Sequence, residues 1–181
     1  MSNRRIHILG ASGTGTTTLG SALAQELGIL FFDTDTYFWL PGEPPFTHKR
    51  PIPERIEMLN RDLAVESWVL SGSLCGWGDV LIPRFTHVVF LLLDNDIRLA
   101  RIKTRERERY GSRIDEHGDR RKAHEEFMAW CDRYETGGMN VRSRVLHEDW
   151  LTRISCPVLR LQSENSVNVM VSTIVQELTT G

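Results

Sequence analysis

The run Ile6-His7-Ile8-Leu9-Gly10-Ala11-Ser12-Gly13-Thr14-Gly15-Thr16-Thr17-Thr18 decides how the rest of the chain is read. Its first four residues, mostly apolar, make a short buried strand. Leu19, Leu23 and Leu27 then recur at helical spacing up to Gly28, a natural helix stop. Between strand and helix the glycines let the backbone curl so that successive N–H groups converge, and the helix N-terminus adds partial positive charge. Strand, glycine-rich turn and helix together are the setting of a phosphate-binding loop. From Gly10 to Thr17 the spacing is that of the Walker A pattern, G-x-x-x-x-G-K-[ST], with Thr16 where the lysine belongs. Gly10, Ser12, Gly13, Thr14, Gly15, Thr16, Thr17 and Thr18 are the candidate nucleotide-binding residues, and Thr17 falls where such loops place a magnesium-binding hydroxyl. The plain alternative is a glycine turn that binds nothing. Losing the lysine removes a charge-assisted contact of roughly 1.5–3 kcal/mol. Either another cation substitutes or affinity is weak.

A chain of 181 residues suits one domain, and its formal net charge of −2 argues against a general nucleic-acid binder. The run after Met1-Ser2-Asn3-Arg4-Arg5 is too short for a signal peptide, and no stretch reaches transmembrane length. Cys75, Cys131 and Cys156 are scattered and odd in number, as reduced cytoplasmic thiols are. The six histidines show no metal spacing. These features together predict a cytoplasmic protein with neither a membrane nor a nucleic-acid partner, as a monomer or homodimer.

Ile29 to Phe32 reads as a second buried strand ending in Asp33-Thr34-Asp35, and carboxylates at the carboxyl end of a parallel strand sit where open α/β sheets bind ligands. Loop, helix and Phe32-Asp33-Thr34-Asp35 together resemble shikimate kinase and, more broadly, the nucleoside-monophosphate-kinase-like P-loop kinases. A threonine at the lysine position resembles the loop of bacterial phosphoribulokinases. The resemblance implies ATP and magnesium as cofactors, Asp33 serving the metal with Thr17, and Asp35 gripping the acceptor. Both aspartates could instead merely cap the next segment.

Residues 36–53, rich in proline and aromatics, resemble the acceptor-binding segment of those kinases. There Trp39, Lys49 and Arg50 would suit a ring-bearing or anionic acceptor, unless the aromatics only pin an irregular loop. A helix is predicted from Pro53 to about Glu66, then a strand at Trp68-Val69-Leu70. The glycine-rich turn beyond it offers Gly72 and Ser73 N–H groups to an anionic acceptor group, and its Trp77 is a lid or an anchor. His87 to Leu93 is the clearest buried strand. On the helix that follows, Arg98, Arg101, Arg105 and Arg109 share one face, and like charges so spaced repel unless an anion arrives. Arg101 and Arg105 resemble the arginine pair at the start of the adenylate kinase lid, which implies that they clamp phosphates and that the lid spans 107–121. Otherwise this is a solvated face. Two more helices are predicted, 121–135 and 140–151, with Phe127, Trp130, Cys131 and Tyr134 as core contacts and with Arg133, Arg142 and Arg144 as residues that could reach the nucleotide, which spacing alone does not show. A strand at Pro157 to Leu161 leads to Gln162-Ser163-Glu164-Asn165, where such kinases hold adenine, and a last amphipathic helix closes the sheet.

Strands alternating with helices predict a single α/β domain over 1–181, a parallel sheet covered on both faces. The resemblance implies the three-layer P-loop fold with strand order 2-3-1-4-5 and a small helical lid. It also points to the bacterial "adenylate kinase and related kinases" group, which includes proteins called DNA topology modulation proteins. The expected activity is transfer of the ATP γ-phosphoryl group to a hydroxyl or phosphate acceptor, with Asp35, Arg101 and Arg105 at the reacting centre. A nucleotide-binding regulator that transfers nothing is the alternative.

Overall fold

Apolar runs too short to be helices pair as five strands, and a computed structural model describes residues 3–180 of this arrangement. Met1 and Ser2, the head of the stretch read as lacking a signal peptide, lie outside the described residues, as does Gly181. The strands are β1 Arg5–Gly10, β2 Leu30–Asp33, β3 Trp68–Ser71, β4 His87–Leu92 and β5 Val158–Gln162. They lie in the order β2-β3-β1-β4-β5, every neighbouring pair parallel, as expected. Around them run α1 Thr16–Leu27, α2 Thr34–Phe38, α3 Ile52–Asp62, α4 Asn95–Tyr110, α5 Arg121–Asp132, α6 Arg144–Leu151 and α7 Val167–Thr180.

Alternation along the central strands builds two cores, one on each face. Ile6 and Ile8 of β1 point with Val69, Val89 and Leu91 to the side covered by Leu19 and Leu23 of α1 and Ile174 of α7. Leu9, Trp68, Leu70, Val88 and Phe90 face the opposite side, against Leu59 of α3 and Trp150 and Leu151 of α6. Because both faces of the sheet are covered, the carboxyl ends of the strands, above β1, β2 and β3, are the place such sheets leave for a ligand. No helix among the described residues is long and apolar enough to cross a membrane.

Several boundaries differ from those predicted. The irregular 36–53 segment begins as α2 and then folds back on itself, with an antiparallel bridge between Trp39 and Lys49. The helix predicted to Glu66 ends at Asp62, and the one predicted from Asn140 starts at Arg144, because Ser143 caps it by accepting the Leu146 N–H at 3.1 Å. Short 3₁₀ turns at Asp79–Arg84 and Gly111–Ile114 had no signal that was read. Phe127 and Trp130 stack on each other half-buried, so only Cys131 and Tyr134 of the four predicted core residues are buried.

Candidate active site

The loop between β1 and α1 carries two left-handed glycines, Gly13 at φ 88° and Gly15 at φ 87°. At Gly13 a Cβ would lie 2.8 Å from Ile102 Cγ1 and 2.9 Å from the Arg98 carbonyl, so the loop is pressed onto α4 and tolerates no side chain there. Gly15 is the N-cap of α1 and no side chain caps the helix. The first-turn N–H groups therefore keep their hydrogen-bonding capacity for an anion. Beneath the loop Thr14 Oγ1 donates to the Ala11 carbonyl at 2.8 Å. Thr16 contributes a neutral hydroxyl where the Walker pattern has a cation.

At the foot of the loop three residues from α1, β2 and β3 meet. Thr17 Oγ1 donates to Asp33 Oδ2 at 2.6 Å, and Ser71 Oγ donates to the same oxygen at 3.1 Å. The other oxygen, Oδ1, caps α2 by accepting the Asp35 N–H at 2.9 Å. Asp33 thus caps the helix, as the plain reading had it, and also turns a carboxylate oxygen toward the loop. Hydroxyl and carboxylate oxygens so placed are hard donors of the kind magnesium takes, and Thr17 and Asp33 fit that ion. Ser71 was not read from the sequence. Among the described residues no three His, Cys, Asp or Glu side chains gather as a metal centre.

Asp35 stands beside this cluster. Burial pushes its carboxyl above the usual range and the neighbouring Asp33 charge pushes the same way, while Arg142, the Trp39 indole and Arg105 pull against them. Arg142 precedes α6, half-buried, its guanidinium 5.5 Å over the Trp130 ring. Burial lowers its pKa, and Asp35 is the carboxylate that offsets this. Farther along the same wall Arg55 is 5% exposed, stacked 3.9 Å over Phe38 and 5.2 Å over Trp77, its Nε donating to the Arg50 carbonyl at 2.6 Å. Burial lowers the Arg55 pKa, and the neighbouring Arg50 cation pushes the same way. Arg55 is thus a buried cation carried on two aromatic rings, while Arg142 has the Asp35 charge to set against its own.

Other residues singled out in the sequence fall in different places. Arg50 braces the folded-back segment: its Nε donates to the Tyr37 carbonyl at 3.1 Å and Nη2 to the Trp39 carbonyl at 3.4 Å. Two of its nitrogens are thus taken by backbone, and Nη1 lies 3.9 Å from Glu54. Lys49 is exposed, its Nζ 5.8 Å from the Phe38 ring centre. Gly72 has φ 103°, and its N–H donates to the Ile8 carbonyl at 2.9 Å, which corrects its reading as an amide open to an anionic acceptor group. The Ser73 side chain turns into the interior, its Oγ 3.2 Å from His147 Nε2. Trp77 is anchored through Nε1 to the Ser73 carbonyl at 3.0 Å, which favours the anchor over the lid.

The arginine stripe of α4 divides. Arg98, 1% exposed, donates to the Ser12 carbonyl at 3.2 Å and the Cys131 carbonyl at 2.8 Å, tying the loop to α5. Arg101 donates to Ser163 Oγ at 3.1 Å and to its carbonyl at 3.0 Å, while Ser163 Oγ in turn donates to the Thr14 carbonyl. Arg101 is therefore docked on the turn after β5 that was read as the adenine side, and its terminal nitrogens are engaged there. Arg105 is exposed and near enough to Asp35 for its charge to be felt. Arg55 and Ser71 escaped the sequence reading as site residues, since neither belongs to a spaced motif, and Arg142 was read only as within reach of the nucleotide.

A left-handed glycine loop on an uncapped helix, at the carboxyl ends of a 2-3-1-4-5 parallel sheet, defines the P-loop kinase fold. Solved structures agree along the whole chain. A shikimate kinase from Bacteroides thetaiotaomicron is 18% identical, covering 97% of this chain and 98% of its own at a TM-score of 0.57. A gluconokinase from Sinorhizobium meliloti is 16% identical over 98% and 96%, at 0.54. A putative kinase from Chloroflexus aurantiacus is 17% identical over 100% and 99%, at 0.59. The chain belongs to the same family as the uncharacterized protein YqaC of Bacillus subtilis, 47% identical over 179 residues that cover 98% of this chain and 99% of that protein. No family model matches it.

Proposed function

We propose that this protein is an ATP- and magnesium-dependent kinase of a small molecule that carries an anionic group, with a hydroxyl or a phosphate as acceptor. The observation that carries the reading is the convergence of Thr17 and Asp33 at the foot of the loop with Asp35 beside them and Arg142 opposite. Loop N–H groups from Gly13 to Thr17 hold the phosphates, and Thr17 and Asp33 hold the metal, which neutralises phosphate charge when bound. Arg105 and Arg142 offset the charge that develops between donor and acceptor. Catalysis of this kind is mostly positioning and electrostatics. For a hydroxyl acceptor Asp35 takes the proton, and its raised pKa suits a base. A phosphate acceptor needs no base, and Asp35 then orients. Arg55 and Arg142 grip the acceptor's anionic group, with Trp39 as a wall. Shikimate and gluconate kinases among the structural relatives favour a carboxylate-bearing acceptor. Thr16 favours the second reading, a nucleotide-binding regulator without transfer.

The test is an ATP-consumption screen over nucleoside monophosphates, sugar acids and other polar metabolites. Turnover with one acceptor, abolished in both Thr17→Ala and Asp33→Ala, supports the kinase. Magnesium-dependent ATP binding without turnover selects the regulator, and unaltered activity in both variants removes the site.

A further inference from the structure

We infer that Tyr134 and His147 are positioning residues that hold the connection carrying Arg142 against the turn after β3, so that an acceptor's anionic group meets the guanidinium at one fixed place. The inference rests on the kinase reading and its anion-bearing acceptor. Arg142 lies in the connection between α5 and α6, which has no regular structure to fix a long side chain. One tyrosine bounds that connection twice. Its carbonyl accepts the Arg144 N–H at 2.8 Å, and its hydroxyl lies 2.9 Å from His147 Nδ1. The far side of the imidazole, Nε2, is 3.2 Å from Ser73 Oγ. Tyr134, His147 and Ser73 are 5%, 0% and 7% exposed, so water offers these groups no ready substitute partner.

The chain is directional in either tautomer. Tyr134 donates to Nδ1 while Nε2–H donates to Ser73 Oγ, or both bonds run the other way. A neutral imidazole is what such a chain needs, and burial, joined by the Arg142 charge, lowers the His147 pKa to about 3. One residue of α6 and one just beyond it hold the far end of the same turn. Trp150 Nε1 donates to Asp79 Oδ1 at 2.9 Å and Arg153 Nη1, just past the helix, to Asp79 Oδ2 at 2.8 Å. α6 is thus a strut fastened to the turn at two places, and the histidine is the fastening next to Arg142. Ser143 seats the helix start itself, donating to the Gly138 carbonyl at 2.9 Å.

The experiment saturates the loop with magnesium AMPPNP and then titrates inorganic phosphate by calorimetry. In wild type phosphate binds, and Arg142→Ala abolishes the signal. Tyr134→Phe, which keeps the ring and removes only the hydroxyl, weakens phosphate about ten-fold and leaves AMPPNP affinity within about two-fold, the size of losing one buried hydrogen-bond partner. Ser73→Ala does the same from the other end. Combining the two adds little, as for members of one network. His147→Gln serves as a third cut where it folds by circular dichroism. If Tyr134→Phe and Ser73→Ala lower thermal stability yet bind phosphate as wild type does, or if their effects simply add, the positioning role is overturned and the kinase reading stands. If wild type ignores phosphate, or Arg142→Ala still binds it, the inference and the anion-bearing acceptor fall together.

Discussion

Acid should loosen this protein through two buried imidazoles, and the loss can be sized. His7 is 0% exposed, stacked 4.9 Å from Phe85 and edge-on to Trp150, with Nδ1 on the Leu70 carbonyl and Nε2 without a partner. Burial lowers its pKa from 6.5 to about 3, and the same cause lowers His147 equally far. The folded-state values lie below the unfolded one, so as pH falls the unfolded chain takes up both protons first. Stability conferred by the neutral rings is whole above pH 6.5 and drains away as pH drops toward 3. Between pH 7 and pH 5 each histidine loses about 2 kcal/mol, the two together about 4 kcal/mol. Urea unfolding followed by circular dichroism at pH 7, 6 and 5, on wild type and His7→Phe, isolates one of them, because the carboxylates titrate alike in both. Wild type should fall relative to the variant by about 2 kcal/mol over that window. A difference that stays constant within about 0.5 kcal/mol would mean that His7 takes up its proton as readily folded as unfolded, and the reasoning would be refuted.

Thr16→Lys should tighten ATP binding about ten-fold or more, the value of one charge-assisted contact, if the loop simply lacks its cation. Weaker binding in a filter or calorimetric assay would mean that another cation already fills that space. Gly72→Ala places a Cβ 1.8 Å from Thr34 Oγ1 at a φ of 103°, displacing the residue between Asp33 and Asp35. The backbone strain alone is worth about 1–3 kcal/mol, so a lower melting temperature and lost nucleotide turnover should appear together. Arg98→Met forfeits charge-assisted bonds to Ser12 and Cys131, about 1.5–3 kcal/mol each before the relief of a buried cation. Denaturant unfolding should register the loss, and ATP affinity should weaken as the Ser12 carbonyl is released.

Local signals carried the fold. Apolar runs too short for helices announce parallel strands, and the Leu19, Leu23, Leu27 stripe announces the helix behind the loop. Strand order came from resemblance, because no residue in β2 states that its neighbour is β3. Thr17 and Asp33 were legible through their motifs, whereas Ser71 is a lone serine and only the pairing of β2 with β3 brings it to Asp33. The arginines of α4 mislead for a geometric reason. From Arg98 to Arg109 the helix advances about 16 Å, so residues sharing a face meet different neighbours: α5, the turn after β5, the cleft and the folded-back segment. Arg55 was hidden because a buried cation on aromatic rings is defined by what surrounds it, and the surroundings come from distant parts of the chain.

Past Trp39 the chain leaves the body of the molecule, and near its tip Phe46 lies beneath the Arg109 guanidinium, 4.9 Å from ring centre to cation, while the Glu43 charge favours Arg113. The folded-back segment and the root of the 107–121 stretch therefore share a seam. A cation above a water-facing ring holds with about 0.5–1 kcal/mol, near thermal energy, so the seam parts easily.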